Sequence, residues 1–351
     1  MFPKPPDRSL FTRAQKLPLR LVLVVSFVLQ IAAAVGLTTA LSWRNGQKAI
    51  DDLAVQLSEK SIDGIREHLQ TYLLQPNLLQ RDSRSNLFYG DVPLDDRQMI
   101  ARHFWHQIRA SDGVSSIYLG YPDGSFLGIQ ERNNGQTVLW EVTAETAPKR
   151  FTYRLSDAGE RREALASQNY DPRVRPWYQA VVENRHASWS PIYEFASRDY
   201  PALGITLAAP VYGTHGKLQG VLALDLTLEQ ISGYLRTLNL RANGEAFIIA
   251  RTGAIVATSS AEPPFITLDN GEQTRLQAIA SQEPIIQETT QHLFQRFGSL
   301  KQVNAAEQFT YDLNGEAQLV HLVPFRDGRG LDWLIVTAIP ESDFKGQIAA
   351  N

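Results

Sequence analysis

The run Asn169-Tyr170-Asp171-Pro172-Arg173-Val174-Arg175-Pro176-Trp177-Tyr178 gathers more chemistry than any other part of the 351-residue sequence. Arg175 presents a planar fork suited to a carboxylate. Tyr170, Trp177 and Tyr178 supply hydroxyl and indole donors, and aromatic faces that receive a cation. Further on, Asp225 interrupts the apolar run Val221-Leu222-Ala223-Leu224-Asp225-Leu226. A carboxylate there is costly to bury unless it meets a positive partner. Two readings stand side by side. In one, these residues hold a small zwitterion, with Arg175 toward its carboxylate, Asp225 toward its ammonium and the aromatics as walls. In the other, Arg175 and Asp225 pair with each other, and Trp177 and Tyr178 are core.

Local sequence predicts the elements that carry these residues. Pro172 and Pro176 hold the backbone extended before a short helix, with Pro176 near its first turn. Asp225 belongs to a hairpin of residues 205–212 and 218–226. An earlier hairpin joins 116–119 to 125–129 across Tyr121-Pro122-Asp123-Gly124. Residues 246–250 and 254–257 flank Arg251-Thr252-Gly253, and a longer hairpin follows at 317–325 and 331–339. Helical segments are expected at 96–110, 227–238, 274–281 and 285–297. Similar strand order, met twice, predicts two related α+β modules in series, each with a small antiparallel sheet.

Ahead of them, residues 21–43 carry no charge. At 1.5 Å per residue this run reaches roughly 34 Å, enough to cross a hydrocarbon core of about 30 Å. It is also longer than the apolar stretch of about 7–15 residues in a cleaved signal peptide. Lys4, Arg8, Arg13, Lys16 and Arg20, opposed only by Asp7, put the N-terminus in the cytoplasm and the rest of the chain outside. A single-pass protein of the inner (plasma) membrane is expected. Residues 45–81 read as one helix, with Ile50, Leu53, Leu57, Ile62, Ile65, Leu69 and Leu73 at mostly three- and four-residue steps. That stripe packs on the chain's own domain or pairs with a second copy as a stalk, and the slipped step between Leu57 and Ile62 argues against a strict coiled coil.

Hydrophobic residues are 43% of the chain and charged residues 20%, which suits a chain that buries a core. A net charge of -3 gives no sign of nucleic-acid binding. With no cysteine, disulfide scaffolds, Cys-ligated metals and thiol nucleophiles are excluded. His103 and His106 fall on one helix face, but no further metal ligand accompanies them. Neither a metal, a cofactor nor a catalytic set is expected; an enzyme would need a nucleophile–base pair or metal set beside Arg175.

The runs YDPRVRPWYQAVV, WSPIY, GITLAAPVY and GKLQGVLALDLTLEQISGYL resemble the membrane-distal module of double Cache sensor domains. AFIIARTGAIVATS and GLDWLIVTAIPESDF resemble the membrane-proximal module of that family. The resemblance covers roughly residues 45–345. It implies an extracytoplasmic, PAS-like ligand-sensing region of a bacterial transmembrane receptor, commonly dimeric, with its small-molecule ligand in the distal module. The expected layout is a cytoplasmic N-terminus (1–20), a transmembrane helix (21–43), a stalk helix (44–81), a distal module (82–240) and a proximal module (241–345). Residues 346–351 would approach a possible second membrane helix, with any transmitter or partner protein beyond them.

An amino-acid-binding subset of the family uses a pattern matched here by Tyr170, Arg175, Trp177, Tyr178 and Asp225. By that similarity Tyr170, Arg175 and Trp177 contact the ligand carboxylate, and Tyr178 and Asp225 contact its amine. Where members of the subset place another acid near the amine, this sequence has Phe195, with Glu194 and Asp199 as the nearby substitutes. The rival expectation is a structural or partner-binding domain with no small-molecule pocket.

Overall fold

The computed structural model describes residues 19–343 apart from 112, 133, 197–201, 214, 239, 241–242 and 270–272. The chain falls into two units, Met1–Leu53 and Ala54–Asn351. Helix α1 covers Leu19–Tyr89. In the first unit its segment Leu23–Gly46 is long and apolar enough to cross a membrane, and none of its most apolar stretch is buried. Three hydroxyls of this segment bond to carbonyls one turn back within the helix. Ser26 donates to the Leu23 carbonyl at 3.0 Å, Thr38 to Ala34 at 2.9 Å, and Thr39 to Val35 at 2.8 Å.

In the second unit the α1 stripe packs on the chain's own domain. Ile62, Ile65, Leu69 and Leu73 are buried. The slipped step is filled by Ser58, buried one turn before Ile62, whose hydroxyl lies 3.0 Å from that of Thr337. The side chains of Ile50, Leu53 and Leu57 lie outside the described residues. Helix α2, Arg97–Arg109, is capped by Asp96, whose carboxylate accepts from the Met99 amide at 2.9 Å.

The first sheet begins with strands β1 (Ser116–Gly120), β2 (Phe126–Glu131), β3 (Thr137–Val142), β4 (Lys149–Leu155) and β5 (Arg161–Asn169). A single 3-10 turn, Pro172–Val174, leads into helix α3, Pro176–Asn184. Strands β6 (Ser188–Trp189), β7 (Tyr193–Glu194), β8 (Leu203–Tyr212) and β9 (Leu218–Thr227) follow, then helix α4, Leu228–Thr237. These nine strands form one antiparallel sheet in the order β5-β4-β3-β2-β1-β9-β8-β6, with β7 also on β8.

A second, five-stranded sheet has the order β11-β10-β16-β15-β14, from β10 (Glu245–Ala250), β11 (Ile255–Thr258), β14 (Glu307–Leu313), β15 (Glu316–Arg326) and β16 (Asp332–Pro340). Strands β12 (Phe265–Thr267) and β13 (Gln273–Arg275) form a separate hairpin, and helix α5 is Pro284–Phe297. The helix expected at 274–281 is not formed. Its start belongs to β13, and only Ala278–Ala280 makes a 3-10 turn. Pairing of Phe265–Thr267 with Gln273–Arg275 satisfies that backbone as a strand instead.

Alternation along the strands sorts the nine-stranded sheet into two faces. Ile117, Leu119, Leu222, Leu224, Leu226, Ile205 and Leu207 join the core beneath α1 and α2, with Ile62, Ile65, Ile100, Phe104 and Ile108. The opposite face carries Tyr118, Phe126, Trp140, Ala208 and Ala223, closed over by Tyr170, Trp177, Tyr178 and Val181. The residues singled out by their chemistry lie on this second face.

Candidate functional site

Local rules aim Arg175 inward and leave Arg173 outside. Asp171 caps the 3-10 turn by accepting from the Arg173 amide at 3.0 Å. Its carboxylate also holds the Arg173 guanidinium, at 2.9 and 2.8 Å, so the first arginine of the run is engaged at the surface. Pro176 excludes helical geometry from the preceding residue, and Arg175 is extended at φ -81°, ψ 147°. That kink separates the turn from α3. The Arg175 guanidinium donates to the Glu194 carbonyl at 3.0 Å and lies 5.3 Å from the centre of the Tyr193 ring.

Asp225 is placed by strand alternation. Leu224 and Leu226 face the helices, so Asp225 faces the opposite side, in register with Ser116 on β1 and Thr206 on β8. Its Oδ1 accepts from the Tyr118 hydroxyl and from the Thr206 hydroxyl, each at 2.6 Å. The Tyr193 hydroxyl lies 2.7 Å from that of Thr206, which extends the network. Burial pushes the Asp225 carboxyl up to about 6, against the pull of those two hydroxyls. Burial also holds the hydroxyls of Tyr118 and Tyr193 well above their ordinary range. Gly128 stands opposite Tyr118, and a Cβ there would come within 2.5 Å of the Tyr118 Cβ.

A second cation enters from β4. Arg150 is 4% exposed, and its guanidinium lies 4.6 Å from the ring centres of both Trp140 and Tyr170. One amino group donates to the Ala196 carbonyl at 2.5 Å, and its Nε has no partner. Burial lowers its pKa to about 10. Among the described residues neither Arg150 nor Arg175 forms an ion pair, and Asp225 forms none either. The paired Arg175–Asp225 alternative is therefore not what the structure holds.

Arg150, Tyr170, Arg175, Asp225, Tyr118 and Phe195 border one small cavity of about 20 Å³, room for roughly a single water. Of the five expected site residues, Tyr170, Arg175 and Asp225 border it. Trp177 and Tyr178 stand behind it, the Trp177 ring meeting Tyr118 edge-on at 5.0 Å and Tyr178 at 5.4 Å. The Phe195 ring fills the space over Gly204, where a Cβ would come within 2.1 Å of its Cζ. Beyond Phe195 and Gln130, which border both spaces, opens a hollow of about 640 Å³ lined in part by Glu131, Gln230 and Phe265. Glu194 does not turn into the small cavity. Its carboxylate accepts from the Gln273 amide at 3.3 Å, and Asp199 lies outside the described residues.

Sequence reading missed Arg150, Tyr118, Thr206 and Tyr193. The signal for Arg150 points the wrong way, because alternation through Phe151, Tyr153 and Leu155 assigns Arg150 and Thr152 to solvent. In the sheet Arg150 and Thr152 are buried. Among the described residues no group of three or more His, Cys, Asp or Glu could hold a metal ion, so His103 and His106 gain no further ligand.

The family model for the Cache domain matches residues 47–348. The methyl-accepting chemotaxis protein McpA of Pseudomonas putida is 29% identical over 136 residues, 37% of this chain and 21% of that protein. Adenylate cyclase 1 of Rhizobium meliloti is 24% identical over 166 residues, 42% of this chain and 24% of that protein. The chain thus matches less than a quarter of the length of either curated relative. Among solved structures, the ligand-binding domain of Mlp24 with asparagine shares the fold at a TM-score of 0.53 and 18% identity, covering 86% of this chain and 98% of that one. Two antiparallel sheets joined through one core beneath a long helix, and a family match across residues 47–348, place this chain in the Cache domain family of sensor domains.

Proposed function

We propose that the distal module binds a free amino acid, and that the chain is the sensory region of a membrane-anchored receptor. One observation carries the reading: Arg175 and Asp225 border the same buried cavity and leave each other unpaired. A guanidinium and a carboxylate held apart on one sheet face match the two ends of a zwitterion. In this reading Arg175 and Tyr170 take the ligand carboxylate and Asp225 takes the ammonium. Trp177 and Tyr178 support these groups from behind.

The cavity is too small for an amino acid as it stands, so binding moves Phe195 toward the larger hollow. Differential affinity for the two arrangements is what shifts their populations. The apolar segment Leu23–Gly46 anchors the protein with its N-terminus in the cytoplasm and the Cache region outside. The unit beginning at Ala54 reports through α1 to a transmitter or partner protein, and pairing of two copies along α1 completes the receptor. The chemotaxis receptor and the cyclase among the relatives agree with a sensory role.

The test is calorimetric titration of the full chain in detergent with the common amino acids, amines and short carboxylates. Binding of an amino acid that is lost in both Arg175→Ala and Asp225→Ala supports the reading. Binding of none of these compounds, or binding indifferent to both substitutions, overturns it.

A further inference from the structure

Arg150 is the buried charge that zwitterion recognition leaves unused. An α-amino acid presents one carboxylate to Arg175 and one ammonium to Asp225, and so it arrives with no net charge. The cavity, however, is bordered by two guanidiniums and one carboxylate. Arg150 is held between the Trp140 and Tyr170 rings, which fixes the plane of its fork, and one amino group is tied to the Ala196 carbonyl. Its Nε is buried and without a partner. A desolvated guanidinium with an unused donor is costly unless an anion meets it, and its planar fork suits a carboxylate. Gln168, opposite Arg150 on β5, donates to the same Ala196 carbonyl at 2.8 Å and so adds no acceptor.

From this arrangement we infer that the ligand is an amino acid with an acidic side chain, whose second carboxylate is received by Arg150 while Arg175 and Asp225 hold its α-carboxylate and ammonium. Such a ligand carries one net negative charge and balances the cavity. The inference rests on the amino-acid reading above and deepens it. Phe195 and Ala196 close the cavity beside Arg150, so the second carboxylate sits only a short chain away from the first.

The full chain in detergent is titrated with aspartate, glutamate, asparagine, glutamine, alanine and succinate, in the wild type and in Arg150→Gln. Aspartate or glutamate is expected to bind more tightly than its own amide by about 10–100-fold, the range of one charge-assisted contact. Arg150→Gln is expected to erase that preference, costing the acid about 10–100-fold in affinity and the amide less. An amide that binds the wild type as well as its acid overturns the inference and leaves the amino-acid reading intact. Succinate matching aspartate overturns the inference and, by removing the need for the ammonium, the amino-acid reading with it. Failure of every amino acid overturns both. The wild-type ratio of acid to amide decides the matter even where Arg150→Gln does not fold, and equal loss of acid and amide in a folded Arg150→Gln marks Arg150 as structural.

Discussion

Arg175 and Asp225 border one cavity without touching: Arg175 donates to the Glu194 carbonyl at 3.0 Å, while Asp225 accepts from Tyr118 at 2.6 Å. Removing one member of a buried ion pair costs about 3–5 kcal/mol, because the other is left uncompensated. Here each group has its own neutral partners, so Arg175→Ala is expected to unfold at nearly the wild-type temperature in the absence of ligand. Thermal unfolding at neutral pH checks this, and a loss on the scale of a broken ion pair would show that the two groups are coupled.

Asp225 sets a pH dependence of stability with a definite sign. Its folded pKa, about 6, lies above its ordinary value of 3.8, so the folded protein holds the extra proton between those values. The contribution of this group to stability is therefore greatest at acid pH and falls as pH rises through that window, by on the order of 2–3 kcal/mol. Asp225→Asn removes the slope and is expected to be at least as stable as the wild type at pH 7. Denaturant titrations from pH 4 to pH 7 measure it.

Ligand affinity runs the opposite way. In the proposed site the ligand ammonium is held by the ionised carboxylate, which a group titrating at about 6 supplies at pH 7 and largely loses at pH 5. Affinity is expected to rise about tenfold from pH 5 to pH 7. Calorimetry across that range tests it; a flat profile would mean that Asp225 does not meet the charged amine.

Gly120 makes room for Trp177. A Cβ at Gly120 would lie 2.6 Å from the Trp177 ring and 3.0 Å from the Pro172 side chain. Trp177 is fully buried, so Gly120→Ala is expected to cost about 1–3 kcal/mol through overpacking. Chemical denaturation reads the loss, and an unchanged midpoint would mean that the helix bearing Trp177 shifts freely.

The hydroxyls of Ser58 and Thr337 meet at 3.0 Å where α1 lies on the five-stranded sheet, both fully buried. Ser58→Ala strands the Thr337 hydroxyl and is expected to cost about 1–3 kcal/mol, whereas the double change Ser58→Ala with Thr337→Val recovers much of it. A double-mutant cycle gives the coupling, and simple additivity would show that the contact contributes nothing.

Much of the architecture follows from local sequence. The uncharged stretch 21–43, the three- and four-residue spacing of Ile62, Ile65, Leu69 and Leu73, and the Gly-bearing turns identify the apolar helix, the packed helix and the hairpins, because each rests on neighbouring residues. Pro176 likewise fixes Arg175 as extended before any tertiary contact forms. What only the folded chain decides is which polar residues are buried together. Asp225 reads as an anomaly in an apolar strand, yet its partners Tyr118 and Thr206 come from two other strands, and only sheet register brings them within 2.6 Å. Arg150 is the clearest case. Its own strand, read alone, assigns it to solvent, since Phe151, Tyr153 and Leu155 form the apolar alternation. The packing of Trp140, Tyr170 and Ala196 around it, from three other parts of the chain, turns that polar face into the interior of the cavity.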